Sequence, residues 1–186
     1  MSTTERQSRD KERTRRAILD AAERVFTERG AQASLADIAT AAGVTKGGLM
    51  HHFPSRDALV RAVYEHGTAR MWDEVRAHVD ISENRAGKFT RGYVRALTGD
   101  SEYLTNAFCP TGLFTVLGLA PQLEEFHRRD AEAWNAAFAA DGLPEGRALA
   151  VRFAAEGLAF ALQSPYLTGE QLAVARAELL ALTEPG

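Results

Sequence analysis

The chain has 186 residues, of which 45% are hydrophobic and 25% are charged, a composition typical of an ordinary soluble globular protein. Its net charge of −3 is uneven: residues 1–57 carry 10 Lys and Arg against 8 Asp and Glu, whereas residues 58–186 carry 12 against 17. A single cysteine excludes an intrachain disulfide, and the absence of an apolar signal sequence or a span of roughly 18 apolar residues argues against secretion and membrane insertion, so a cytoplasmic protein is expected.

The N-terminal stretch predicts an arm followed by two helices. Residues 1–12 are polar, charged and aperiodic, which fits either a disordered tail or a flexible basic arm that touches DNA phosphates. A first helix is predicted from about Thr14 to Gly30, because apolar residues repeat on one face at Ile18, Ala22, Val25 and Phe26. Ser34 is the expected N-cap of a second helix, whose apolar face contains Leu35, Ile38, Ala39 and Ala42.

The next seventeen residues, 43–59, contain the strongest local signals in the chain. Gly43 suits a left-handed turn, and Thr45 is a good N-cap for a short helix over residues 46–52. Pro54 ends that helix, and Ser55 caps the next one. A helix, a tight turn and a second short helix predict a helix-turn-helix.

The residues Gly43-Val44-Thr45-Lys46-Gly47, Leu49 and the run His51 to Leu59 resemble the signature of the TetR/AcrR family of bacterial transcriptional repressors, and the resemblance covers about residues 13–62. It implies a helix-turn-helix head over residues 13–57 and a ligand-binding and dimerisation body over residues 58–186. It further implies a homodimer that binds a palindromic double-stranded DNA operator and is released by a small-molecule effector. Two positions depart from the family pattern: Met50 replaces a usual phosphate-binding tyrosine, and Gly48 replaces a side chain that often reaches a base.

The DNA-facing residues are expected on and beside the short helix. Hydroxyl, imidazole and cationic side chains there can bind phosphates, Lys46 can also reach a guanine edge, and glycines let the backbone approach DNA closely. Two adjacent glycines cost a helix about 1 kcal/mol each relative to alanine, so we hypothesise a helix that is partly frayed until DNA binds. The candidate contacts are Ser34, Thr45, Lys46, Gly47, Gly48, Met50, His51, His52 and Arg56.

Every strong pattern beyond the head is helical, and no useful strand alternation occurs, which predicts an all-α fold of about nine helices. The fourth helix should supply Leu59, Ala62 and Val63 to the head, with Gly67 interpreted as a soft point within it. The remaining helices are predicted around Phe89 to Leu97, from Tyr103 to Leu119 with a kink or division at Pro110, from Pro121, from Pro144 to about Ser164, and after a Thr168–Gln171 capping box.

Two sets of body residues are candidates for the effector pocket and the dimer interface. The pocket candidates are aromatic, although each also suits a plain core, and few charged residues are expected inside, which favours a small apolar or aromatic effector; they are Trp72, Phe89, Tyr93, Phe108, Phe114, Trp134 and Phe138. The helix around residues 148–162 is apolar nearly all round, apart from an expected Arg152–Glu156 pair, which fits either an internal core helix of a monomer or a helix covered by a second subunit. The family resemblance implies the second, a four-helix dimer interface formed by the last two helices of each subunit. The interface candidates are Phe153, Leu158, Leu162, Leu172 and Leu179.

Catalytic and metal sites are not expected. The sequence lacks the nucleophile-elbow, P-loop and dinucleotide-binding glycine motifs, and Cys109 is interpreted as a small buried hydrophobe. The adjacent His51 and His52 diverge by about 100° on a helix and cannot readily chelate one ion, so neither a metal nor a cofactor is predicted. Two alternatives remain open: a helical adaptor that binds a protein partner and has a vestigial DNA head, and an enzyme built on the helical body.

Overall fold

The computed structural model describes residues 3–108, 112–117 and 120–184, and all regular secondary structure in these ranges is helical, which confirms the predicted all-α fold. In chain order the helices are α1 (Thr3–Arg29), α2 (Leu35–Ala41), α3 (Lys46–His52), α4 (Arg56–Ala77), α5 (Lys88–Arg95), α6 (Glu102–Phe108), α7 (Leu113–Leu117), α8 (Glu124–Ala140), α9 (Glu145–Ala161) and α10 (Gly169–Leu182). None of the described helices combines the length and apolar composition that a bilayer crossing requires.

The first helix starts earlier than the sequence predicts. The apolar face suggested a beginning near Thr14, but α1 starts at Thr3, so residues 3–12 of the predicted arm are helical. Helix-forming Glu, Arg, Gln and Lys side chains extend the helix away from its buried segment, and the Thr14 hydroxyl donates to the carbonyl of Asp10 at 2.9 Å. The side chains described in this extension are exposed, and its basic groups remain on the surface.

The helix predicted from Tyr103 to Leu119 is divided into α6 and α7. Pro110, to which the sequence assigned this break, and the neighbouring Cys109 lie outside the described residues. Gly112, just before α7, lies so close to the end of α6 that an added Cβ would collide with the carbonyl oxygens of Asn106 and Ala107. This close approach therefore requires glycine at position 112.

The head has its own apolar core, and α4 completes it as predicted. Fully or almost fully buried side chains from α1, α2, α3 and α4 meet there, among them Ile18, Phe26, Ile38, Leu49, Leu59 and Val63. Two further members, Leu113 and Leu117, come from α7 and were not predicted. The helix-turn-helix head is therefore packed directly onto an element of the body.

The body surrounds a second core, formed mainly by α5, α8 and α9 with the second half of α4. A buried arginine, Arg91, connects several segments of the chain at one end of this core. Its guanidinium donates to the Glu83 carboxylate at 2.6 Å and to the carbonyls of Thr183 at 2.7 Å and Ala86 at 3.1 Å. The start of α5 is thereby linked to the end of α10, and every contact replaces solvation that the buried cation has lost.

Candidate DNA-binding surface and effector cavities

The short helix α3 has the bounds and the caps that its sequence predicts. Gly43 takes a left-handed φ of 67° in the turn, and the Thr45 hydroxyl accepts from the Gly48 amide at 3.0 Å. Leu49 is fully buried in the head core, and Phe53, the C-cap residue, is almost fully buried. One side of α3 is thus fixed to the head while the opposite side faces solvent.

The solvent-facing side of α3 presents a cation, a hydroxyl and bare backbone. Thr45, Lys46, Gly47 and His51 are exposed, and Gly48 is half-buried. A Cβ added at Gly47 would approach nothing closer than 3.9 Å, whereas one at Gly48 would lie 3.2 Å from the Thr45 hydroxyl oxygen. The absence of a side chain at Gly48 therefore leaves room for the Thr45 cap, and its absence at Gly47 leaves the helix backbone accessible from solvent.

Three other DNA-contact candidates already have structural roles. Ser34 forms a capping box, in which its hydroxyl donates to the Asp37 carboxylate at 2.6 Å and accepts from the Asp37 amide at 3.1 Å. Met50 is half-buried and packs against the head core. The Arg56 guanidinium lies 5.3 Å from the centre of the Phe26 ring. These contacts orient α2, α3 and the start of α4.

The C-terminal end of α3 is held by Arg15, a residue that the sequence analysis did not select. Its Nη1 lies 3.5 Å from the His52 carbonyl oxygen, and its Cζ lies 4.4 Å from the Phe53 ring centre. Burial, followed by the positive charges around it, including Arg15, lowers the pKa of His52. Only its position one turn before the apolar face of α1 distinguishes Arg15 in the sequence, and that signal is weak.

No group of three or more His, Cys, Asp or Glu side chains among the described residues is arranged to hold a metal ion. The rings of His51 and His52 lie edge to face, with their centres 5.7 Å apart.

Five of the seven aromatic pocket candidates form one cluster in the body. Trp72 and Trp134 are stacked with ring centres 3.6 Å apart, and Phe89, Tyr93 and Phe138 pack around them. The other two candidates, Phe108 and Phe114, form a separate pair with ring centres 5.0 Å apart. Tyr93, Trp134 and Phe138 are buried, so most of the cluster is packed into the body core in this structure.

Charged groups lie against this cluster, contrary to the expectation of an interior with few of them. The buried Tyr93 hydroxyl donates to Glu156 at 2.7 Å, and Arg152 donates to the same carboxylate at 3.1 Å, as the predicted pair requires. The Trp72 indole donates to Asp130 at 3.3 Å. Burial raises the pKa of Asp130 and of the Tyr93 hydroxyl. The surroundings of the aromatic cluster are therefore polar as well as apolar.

Among the described residues, one cavity opens at the boundary between head and body and another within the body. One of about 760 Å³ lies between α1, α4 and α6, and the other, of about 540 Å³, lies between α8 and α9. Phe138 lines the second cavity, and none of the other six pocket candidates lines either one.

The dimer-interface candidates differ in exposure. Phe153 is 58% exposed, while Leu158, Leu162 and Leu172 are partly buried. Leu179 is only 7% exposed and belongs to the body core, so its assignment to a subunit interface is corrected. Large apolar side chains that the sequence analysis did not select are exposed on the same two helices, α9 and α10; they are Leu149, Phe160, Val174 and Leu182.

Comparison with known proteins identifies both halves of the chain. The family profile for bacterial regulatory proteins of the tetR family matches residues 18–63, and the profile for the tetracyclin repressor-like C-terminal domain matches residues 87–184. The regulator TtgR of Pseudomonas putida is 44% identical over 61 residues, 32% of this chain and 29% of that protein. The repressor LfrR of Mycolicibacterium smegmatis is 44% identical over 66 residues, 36% and 34% of the two chains. The matched region thus spans about a third of these relatives.

Solved structures match over nearly the whole chain. A transcriptional regulator from Rhodococcus sp. Rha1 has a TM-score of 0.73 and 22% identity, covering 91% of this chain and 95% of that one. The multidrug-binding protein EbrR, in complex with imidazole, has a TM-score of 0.64 and 26% identity, with coverages of 92% and 90%. The chain belongs to the tetR family of bacterial regulatory proteins and carries a tetracyclin repressor-like C-terminal domain.

Proposed function

We propose that the chain is a homodimeric repressor, which binds a near-palindromic operator and is released by a small molecule. The observation that carries this proposal is the exposed side of α3, where Thr45, Lys46 and Gly47 face solvent while Leu49 anchors the helix to the head. A two-turn helix presented in this way fits the major groove. Residues 13–57 would read DNA, and residues 58–186 would sense the effector and dimerise.

The division of labour at the DNA surface follows from the groups present. Lys46, Thr45 and His51 would bind phosphates or base edges, and Gly47 would let the helix backbone lie close to the groove wall. The half-buried His52 and the Arg56 side chain would contact the flanking phosphates from the end of α3 and the start of α4. A cytoplasmic location agrees with this role.

A second copy of this chain is the proposed partner of α9 and α10. Leu149, Phe153 and Phe160 project from one side of α9, and Val174 and Leu182 are exposed on α10. Exposed alanines and Gly157 between these side chains allow close helix packing. Burying this surface against its symmetric copy would form a four-helix interface, with two heads that read half-sites about 34 Å apart.

The effector is proposed to be a small apolar or aromatic molecule. The structural neighbour EbrR is described as a multidrug-binding protein and was crystallised with imidazole. In this chain such a ligand would have to separate the stacked Trp72 and Trp134 rings or enter a cavity beside them. Binding would favour a dimer whose heads no longer match the operator spacing.

Selection of bound duplexes from a random DNA library, repeated at two salt concentrations, tests the proposal. We expect enrichment of a near-palindrome, weaker binding by Lys46→Ala with a shallower salt dependence, and no change for Lys88→Ala, an equally exposed lysine on α5. Sequence-blind binding by the wild-type chain would refute the repressor and favour an adaptor with a vestigial head.

A further inference from the structure

A cavity of about 760 Å³ lies where the head meets the body. One wall is α1, which also packs the DNA-reading head, and the others are α4 and α6. Its floor includes the buried Ala107 and Leu113, beside the half-buried Glu23, Arg70 and Tyr103. The cavity is therefore lined by three helices, and their relative positions determine the position of the head relative to the body.

A carboxylate oxygen without a hydrogen-bond donor lies just beneath the floor of this cavity, and the Glu23 side chain must turn towards the cavity for a ligand to reach that oxygen. The Glu23 side chain is 15% exposed, its Oε2 is fully buried, and no described group donates a hydrogen bond to that atom. The nearest cation, the Arg70 Nη1, is 3.6 Å away, which is longer than a hydrogen bond. The Arg70 guanidinium instead lies 3.7 Å from the Tyr103 ring centre.

The charged groups around Glu23 do not remove its need for a donor. His66 is paired with Asp20, its Nε2 lying 3.3 Å from the Asp20 Oδ1. Burial raises the pKa of Glu23, as does the Asp20 charge, while the charges of Arg70 and His66 and a hydrogen bond from the Tyr103 side chain lower it only in part. Four carboxylates line the cavity against three guanidinium groups and the imidazole of His66; they are Asp20, Glu23, Glu28 and Glu102 against Arg16, Arg24 and Arg70. Because the carboxylates outnumber the guanidinium groups and Glu23 Oε2 has no donor, the cavity favours a ligand that is positively charged and has N–H donors.

We infer that this head–body cavity is an effector site for a small organic cation with N–H donors, such as an amidine, a guanidine or a primary amine, and that Glu23 anchors it. The inference rests on the proposed ligand-released repressor and replaces an uncharged effector with a cationic one. A ligand held by Glu23 on α1 and contacting α6 bridges head and body. Its binding changes the spacing of these helices without opening the aromatic cluster.

Three probes of nearly equal shape test the charge preference: benzamidine is cationic, benzamide is neutral and benzoate is anionic. Binding to the full chain is measured calorimetrically without DNA, so the result does not depend on whether the protein reads an operator. We expect benzamidine to bind, and benzamide and benzoate to bind about tenfold or more weakly. Absence of benzamidine binding, or equal binding of all three probes, would overturn the inference.

Two isosteric variants on α1 locate the site. Glu23→Gln should weaken benzamidine binding by roughly tenfold or more, the size expected when a hydrogen bond to a charged group is lost. Glu28→Gln removes an exposed carboxylate from the rim of the same cavity and should change the affinity less than about twofold. Equal losses in both variants would mean that the probe responds only to overall charge and would also overturn the inference.

A third variant and a DNA measurement complete the test. Glu23→Asp keeps the charge but shortens the side chain by one methylene. It should therefore bind benzamidine more weakly than the wild type does, but still more tightly than it binds benzamide or benzoate. This variant replaces Glu23→Gln in the test if Glu23→Gln does not fold. Once an operator is known, benzamidine should release the wild-type protein from it and leave the DNA complex of Glu23→Gln intact. Release that persists in Glu23→Gln would place the effector elsewhere and leave the repressor function standing.

Discussion

Arg15→Gln tests whether α3 must be held from outside in order to read DNA. One guanidinium lies 3.5 Å from the His52 carbonyl and 4.4 Å from the Phe53 ring centre. A cation at a helix C-terminus contributes about 0.3–1 kcal/mol. A cation over an aromatic ring contributes about 0.5–1 kcal/mol at exposed sites, and more where it is desolvated. Since Arg15 is half-buried, the variant should lose about 1–2 kcal/mol of local stability.

That loss should appear at the DNA surface because α3 is weak in isolation. Gly47 and Gly48 each cost about 1 kcal/mol relative to alanine, so α3 depends on its caps and its packing. If DNA binding must restore the lost order, 1–2 kcal/mol corresponds to an operator affinity about 5–30-fold lower. The amides of residues 46–52 should exchange faster in the free variant than in the free wild-type protein.

The salt dependence of binding distinguishes positioning from a direct phosphate contact. A lost phosphate contact lowers the slope of log affinity against log salt by about 0.9, whereas a lost positioning contact leaves the slope unchanged. Arg13→Gln is the control, because Arg13 is exposed on the same helix and pairs with Asp10 at 3.0 Å. It should leave the exchange of α3 unchanged. A lower slope with unchanged exchange in Arg15→Gln would refute the positioning role.

Three further measurements address stability and assembly. Leu49→Ala should lower the free energy of unfolding by about 2–5 kcal/mol in chemical denaturation, since Leu49 is fully buried between α3 and the head core; a loss below about 1 kcal/mol would contradict that packing. Phe153→Glu should shift the proposed homodimer towards monomer in analytical ultracentrifugation, whereas Ile81→Glu, at an exposed site outside α9 and α10, should not. The Arg91 contact lowers the pKa of Glu83 below its ordinary 4.5, so its contribution to stability is present above that pH and lost as the pH falls. Glu83→Gln should therefore flatten the decline in unfolding free energy on acidification, and an unchanged acid slope would exclude this linkage.

The parts of the fold that the sequence predicts best are those fixed by neighbouring residues. Thr45 caps the start of α3, Pro54 ends that helix, and Ser55 caps the start of α4. Each signal acts within a few residues, and all three are confirmed. The predicted start of α1 near Thr14 was wrong, because no helix-breaking residue precedes Thr14 and the helix extends back to Thr3. An apolar stripe marks where a helix is buried, but an exposed helix can continue beyond its stripe on intrinsic propensity alone.

Contacts between distant residues account for what the sequence could not predict. Arg15 reaches a carbonyl 37 residues away, and Asp130 accepts from an indole 58 residues away; no local pattern encodes either contact. Leu179 was predicted at a subunit interface because it is apolar, but an apolar residue type does not reveal which surface covers the side chain. The body core covers Leu179, while Val174 and Leu182 on the same helix remain exposed.

Gly67 shows how an intrinsic propensity and a tertiary contact lead to opposite predictions. If this glycine were only a soft point in α4, Gly67→Ala would stabilise the chain by about 1 kcal/mol. In the structure an added Cβ would collide with the Leu113 side chain and lie 3.1 Å from the Tyr103 hydroxyl oxygen. Leu113 is itself buried in the head core, so it has little room to move.

Overpacking of this kind costs about 1–3 kcal/mol, which equals or exceeds the helix gain, so thermal and denaturant unfolding should show a neutral or destabilised variant. The displaced Leu113 would also disturb the contact between α7 and the head, so DNA binding should weaken by more than the change in stability accounts for. A variant stabilised by about 1 kcal/mol, with normal operator affinity, would show instead that α4 and α7 do not couple the body to the head at this point.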